Sequence, residues 1–142
     1  MNDYSHLEGH RFPGGTVTVL PHISWLWADA VNSDDPAEVH PSYAFAMAIE
    51  GMGVTIDELL ALADLKADEG SLAGELELEF EQPLRLGGRY RVEGEIVAME
   101  RKHGARMGTF DRLRFEVTLT DVETGVLAVR SENAFLLPRP SA

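Results

Sequence analysis

The chain holds 142 residues, 44% of them hydrophobic and 25% charged, and its 24 acidic side chains against 12 basic ones give a net charge of −12. A chain of this length builds one domain with a real core, so residues 1–142 are read as a single domain, and the negative balance disfavours nucleic acid and anionic membrane surfaces as partners. The lack of cysteine rules out disulfides and thiolate metal sites. Every apolar run stops short of membrane-spanning length and no basic-then-apolar leader opens the sequence, so neither a membrane span nor a secretory signal is expected, and the cytoplasm is the expected location.

In chain order, "GGTVTVL" (14–20) alternates Thr and Val behind two glycines, which predicts a short strand. "HISWLWADAV" (22–31) sets Ile23, Leu26, Trp27 and Ala30 at three- and four-residue spacing, the pattern of a short amphipathic helix with Trp27 turned inward. In "PSYAFAMAIEGMG", Pro41 suits the first helical position, where no N–H is needed. Tyr43, Phe45, Ala46, Met47, Ala48 and Ile49 make this helix apolar nearly all round, hence buried, and Gly51 and Gly53 end it by offering positive φ. "TIDELLALADL" begins another helix, with Thr55 and Glu58 at capping-box spacing and Asp57 and Glu58 at the positive helix start; "KADEGS" closes it as a loop.

From Gly74 the period changes to two. "GELELEFEQPL" places Glu75, Glu77, Glu79 and Glu81 on one face of a strand and Leu76, Leu78 and Phe80 on the other. The turn "RLGG" leads into "RYRVEGEIVAMERK" (89–102), long enough to bend, with Gly94 as the candidate bulge. "FDRLRFEVTLTD" (110–121) alternates again, "VETG" turns the chain, and "VLAVRSENAFLLP" (126–138) is a last strand ended by Pro138 and Pro140. Short turns between strands predict a meander. With the helical block ahead of it, this is an α+β domain in which a curved antiparallel sheet wraps the buried helix. Its long edges need cover, which favours a dimer that extends the sheet.

This order of elements, with "ADAVNSDDP" ahead of the buried helix, "GELELEFEQPLRLGGRYRVEGEIV" for two strands and "ETGVLAVRSENAFLLPR" for the closing hairpin, resembles the hot-dog fold and, within it, the MaoC-like hydratases and dehydratases. The resemblance implies a curved sheet around a central helix, a dimer, and an enzyme that hydrates a trans-2-enoyl thioester or dehydrates the (R)-3-hydroxy form, carried on CoA or on an acyl carrier. It also implies an Asp and a His five residues apart as an acid–base pair, which here are Asp35 and His40. Such a reaction needs a water held between two proton-transfer groups while donors stabilise the charge that builds on the thioester oxygen. Gly51 and Gly53 are the nearest candidates for backbone donors. Hot-dog chains also serve as thioesterases and as non-catalytic acyl-binding partners of another hot-dog chain, so homodimer and hetero-oligomer both stay open.

Each candidate residue has a structural reading beside the functional one. Asp35 opens "DPAE", the pattern of a helix start, and Asp34 next to it can take either role. His40, just ahead of Pro41, also fits a cap. Tyr43 and Met47, with Phe45 and Met52, offer a pliable apolar surface to an acyl tunnel or to the core. Arg101, Lys102, Arg106, Arg112 and Arg114 gather five of the 12 basic residues in one hairpin, read either as a solvated turn or as a landing site for the phosphates of CoA. His103 belongs to the same turn and is expected in solvent. His6, His10 and His22 lack metal-ligand spacing, and neither a metal nor a cofactor is expected.

Overall fold

The computed structural model describes residues 3–33, 39–65, 72–106 and 108–139. Four long strands follow: β2 (Leu72–Phe80), β3 (Arg89–Gly104), β4 (Gly108–Asp121) and β5 (Leu127–Pro138). A short β1 (Gly15–Thr18) completes one antiparallel sheet of order β1-β3-β4-β5-β2. In β4 the odd positions from Asp111 to Asp121 are buried and the even ones half-exposed, so one face of the sheet packs on a core and the other meets water.

The strands are not a simple meander, as their sequence order had implied. β2 does not pair with β3; it crosses the sheet and lies against β5, with Leu76 opposite Asn133 and Phe80 opposite Val129. The connection has only to span the width of two intervening strands, roughly 15 Å, which residues 81–88 cover with ease. It is pinned on the way: Glu81 N–H donates to Ala128 O, Gly87 N–H to Val19 O, and the Arg85 guanidinium to Asp121 at 2.7 Å. A second departure concerns the bend in β3. The register shift falls between Ile96 and Ala98, at Val97, not at Gly94, which stays paired with Val117. Gly94 lacks a side chain for another reason, since a Cβ there would lie 2.9 Å from the Phe12 ring.

Among the described residues, three α-helices precede the long strands: α1 (Pro21–Ala30), α2 (Tyr43–Gly51) and α3 (Ile56–Leu62). α2 is the core helix. Tyr43, Ala44, Met47, Ala48 and Gly51 are buried among Val17, Val92, Phe115 and Leu119 of the sheet, while Phe45 reaches the surface. The last turn of α2 presses so closely on the sheet that a Cβ on Gly51 would lie 2.7 Å from a Val17 methyl and 2.9 Å from Val92 Cβ. Gly51 is therefore helical and needed for close approach; the positive φ that ends the element belongs to Gly53, at +87°. α3 carries the capping box its sequence announces, with Thr55 and Glu58 exchanging backbone-to-side-chain bonds of 3.1 Å.

α1 departs from the amphipathic reading. Its buried residues are the small Ser24 and Ala28, whereas Leu26 is 65% exposed and Ile23 36%. Ala30 is exposed as well. Trp27 alone of the predicted face turns inward, half-buried, with its ring 5.5 Å from that of Tyr43. None of the described helices is long and apolar enough to cross a membrane.

Candidate functional site

The site is built from the residues that start α2. Pro41 has no N–H to satisfy, and the chain enters the helix through short-range bonds: Tyr43 N–H to His40 O, Ala44 N–H to Pro41 O and Phe45 N–H to Ser42 O, at 2.9–3.2 Å. Ser42 occupies the N-cap position, yet its hydroxyl does not cap. It accepts the indole N–H of Trp27 at 2.8 Å and lies 2.8 Å from Nδ1 of His40. The Ser42 backbone N–H donates to the same Nδ1 at 3.2 Å.

Those three contacts orient the imidazole. A backbone N–H only donates, so Nδ1 is an acceptor, and in the neutral ring the proton sits on Nε2. The half-buried His40 ring thus serves the helix start through one nitrogen and keeps a donor on the other. Its two sequence neighbours, Val39 and Pro41, though not His40 itself, line an open recess of about 420 Å³ together with Phe80, Glu81, Gln82, Pro83 and Leu84 from the end of β2 and the crossing segment. Its walls are mostly apolar and its size falls in the range of small-ligand sites. Asp35 and its neighbour Asp34 lie outside the described residues.

The remaining candidates are placed as follows. Gly51 and Gly53 sit at the far end of α2 from His40, about 15 Å away along a nine-residue helix with its flanks. Their amides therefore lie at the opposite end of the helix from the His40 ring. Tyr43 and Met47 are 5% and 0% exposed and packed into the core cluster. Burial, with a contribution from Glu50, pushes the Tyr43 hydroxyl above its ordinary pKa. They are core residues, and the cavity wall comes instead from residues 80–84, which the strand pattern had presented only as a strand end and a turn.

The arginine cluster also divides. Arg101 is held by Asp111 through two bonds of 2.8 and 2.9 Å, and Arg112 bonds Glu75 at 3.0 Å. Lys102 and Arg106 are exposed at the tip of the β3–β4 hairpin. Lys102 pairs with Phe110, nine residues along β4 from the row of Leu119, Val129 and Phe80 that ends at the cavity. Nine residues of strand are about 30 Å. Within one chain, then, these cations and His40 are not parts of one site. His103 is exposed and bonds Thr109, and among the described residues no three His, Cys, Asp or Glu side chains gather as metal ligands.

No protein-family model matches the sequence, and no curated protein matches it either. Solved structures do match in shape. A MaoC-like dehydratase superposes with a TM-score of 0.74 at 16% identity, covering 95% of this chain and 43% of that one. The HadBC (3R)-hydroxyacyl-ACP dehydratase complex from Mycobacterium tuberculosis gives 0.66 at 16% identity, covering 89% and 92%. The R-hydratase PhaJ1 from Pseudomonas aeruginosa gives 0.55 at 19% identity, covering 96% and 86%. The chain has the hot-dog fold, an antiparallel sheet curved around a central helix. The version of that fold it resembles is the one found in MaoC-like dehydratases, and it spans less than half the length of the first of them.

Proposed function

We propose that the chain is an (R)-specific enoyl thioester hydratase, acting in reverse as a 3-hydroxyacyl thioester dehydratase, on acyl groups carried by CoA or an acyl carrier. The observation that carries this is the position of His40. It stands at the entry to the core helix, between two residues that line a largely apolar recess, with its Nδ1 occupied by bonds at the helix start. Neutral imidazole in that tautomer donates and does not accept at Nε2, so His40 holds a water by its oxygen. The carboxylate five residues earlier, Asp35, is the group left to move protons. It takes one from the water as the oxygen bonds the β-carbon; the π electrons pass to the thioester oxygen as an enolate; the same proton then returns to the α-carbon. Water is consumed and no other reactant is needed.

A second reading, in which the chain is a non-catalytic acyl-binding partner of another hot-dog chain, draws on β2. Among the described residues this strand has a neighbour on one side only, and its Leu76 and Phe80 are 48% and 37% exposed, an open apolar edge that reaches the recess at Phe80. A second copy or a related chain seated there covers both. Purified protein incubated with short, medium and bulky trans-2-enoyl-CoA, with the conjugated thioester, the product's configuration and free thiol all followed, separates the readings. Loss of conjugation with an (R)-3-hydroxyacyl product and no free CoA supports hydration. Release of free CoA identifies a thioesterase, and inertness of the chain alone removes the hydratase reading in favour of the partner one.

A further inference from the structure

We infer that the open edge of β2 receives a different protein chain, one whose edge strand carries lysine or arginine on its solvent face, and not a second copy of this one. The inference names the chemistry of a partner and rests on neither reading of the activity. Leu76 and Phe80 lie opposite the buried Asn133 and Val129 of β5 and share their face of the sheet. A strand added along β2 would cover both while pairing the free backbone groups of the edge. The other face of β2 carries Glu75, Glu77 and Glu79, with Glu81 just beyond the strand, all exposed. Period two ties these two faces together. Any register that set the apolar side chains of a second copy beside Leu76 and Phe80 would also set carboxylate beside carboxylate. Glu77 meets a glutamate between positions 75 and 81 in every such register that overlaps the strands well. A slip by one residue would place glutamates against apolar side chains instead.

The sheet already carries this charge to its edge. Glu95, Glu116, Glu132 and Glu77 lie directly opposite one another on β3, β4, β5 and β2, a row of four carboxylates that ends at the open side. Arg130 reaches Glu116 at 3.4 Å and Arg112 reaches Glu75 at 3.0 Å, but among the described residues neither Glu132 nor Glu77 has an ion pair. Like charges directly opposite destabilise a pair of strands, so a fifth carboxylate is disfavoured there and a cation relieves the end of the row.

A charge-reversed copy of the chain serves as the probe. Labelled wild-type protein is titrated at low salt with unlabelled wild type, with Glu77→Lys, and with Glu123→Lys, which changes the net charge equally but at the exposed β4–β5 turn. Glu77→Lys is expected to bind wild type about fivefold more tightly than either of the others does, and the difference should close at high salt. Hydrogen exchange locates the contact: β2 amides gain protection in the mixture with Glu77→Lys and not in wild type alone. Two results overturn the inference. One is a wild-type homodimer whose β2 amides are protected and lose that protection in Leu76→Lys. The other is equal affinity for Glu77→Lys and Glu123→Lys, undetectable binding of both included.

Discussion

Replacing Asp111 by Asn tests how the open end of the sheet is held. Asp111 is 2% exposed and accepts from Arg101 twice and from Arg139 at 2.8 Å, joining β3, β4 and the residue that follows β5. Arg139 is itself 8% exposed, with its guanidinium 4.5 Å over the Tyr4 ring and one terminal nitrogen already without a hydrogen-bond partner. An amide in place of the carboxylate would keep the shape and remove the charge, leaving a buried guanidinium uncompensated, at a cost of about 3–5 kcal/mol. For a chain of 142 residues the unfolding entropy near the midpoint is about 0.3 kcal/mol/K, so Tm should fall by about 10–15 °C. The pH dependence follows from the carboxyl's shift. Burial pushes its pKa up, but the bonds from Arg101 and Arg139 outweigh burial and hold it below the ordinary value. A depressed folded pKa gives stability that is complete above the unfolded value and lost as pH falls through the folded one. Wild type and variant should therefore differ most at neutral pH and converge below about pH 4. Thermal unfolding followed by circular dichroism across that range is the assay. A Tm change within about 2 °C, the size of an ordinary surface substitution, or a gap that does not close in acid would refute the reasoning.

Gly51→Ala forces a methyl into Val17 and Val92 and should cost about 1–3 kcal/mol in denaturant unfolding, while kcat/KM per folded molecule stays within about twofold. A large loss of turnover without a loss of stability would return Gly51 to the site. Leu26→Gln should move the unfolding midpoint by less than about 0.5 kcal/mol because the side chain is already mostly in solvent, and a cost of core size would show that α1 buries its leucine. Asp35→Asn and His40→Gln should each lower enoyl-CoA hydration by about 100-fold or more with the fold intact, as read by initial rates beside circular dichroism.

Much of the sheet was legible because alternation at period two is a local signal that the sheet obeys residue by residue, as in β4. The capping box at Thr55 was equally readable, for it needs only four consecutive residues and their own backbone. What the sequence did not show is what depends on distant partners. β2 pairs with β5 and not with its sequence neighbour because pairing is decided across the sheet. Gly51 and Gly94 owe their identity to Val92 and Phe12, which no local pattern names. At the candidate site, His40 was singled out by the resemblance, which implies an Asp–His pair five residues apart. Ser42 and Trp27 were not, because a helix-start serine and an inward tryptophan have structural readings strong enough to end the search. The only available hint was that an inward indole needs an acceptor for its N–H. The cavity wall at residues 80–84 was hidden for the same reason as the β2 pairing: it forms only when the crossing segment meets the start of α2.

The account stands most directly on the initial rate of trans-2-enoyl-CoA hydration, compared between wild type, Asp35→Asn and His40→Gln. Rapid loss of the conjugated thioester in wild type and its near absence in both variants is the expected result. Equal rates in all three proteins would leave the hot-dog fold in place and strip Asp35 and His40 of their chemistry.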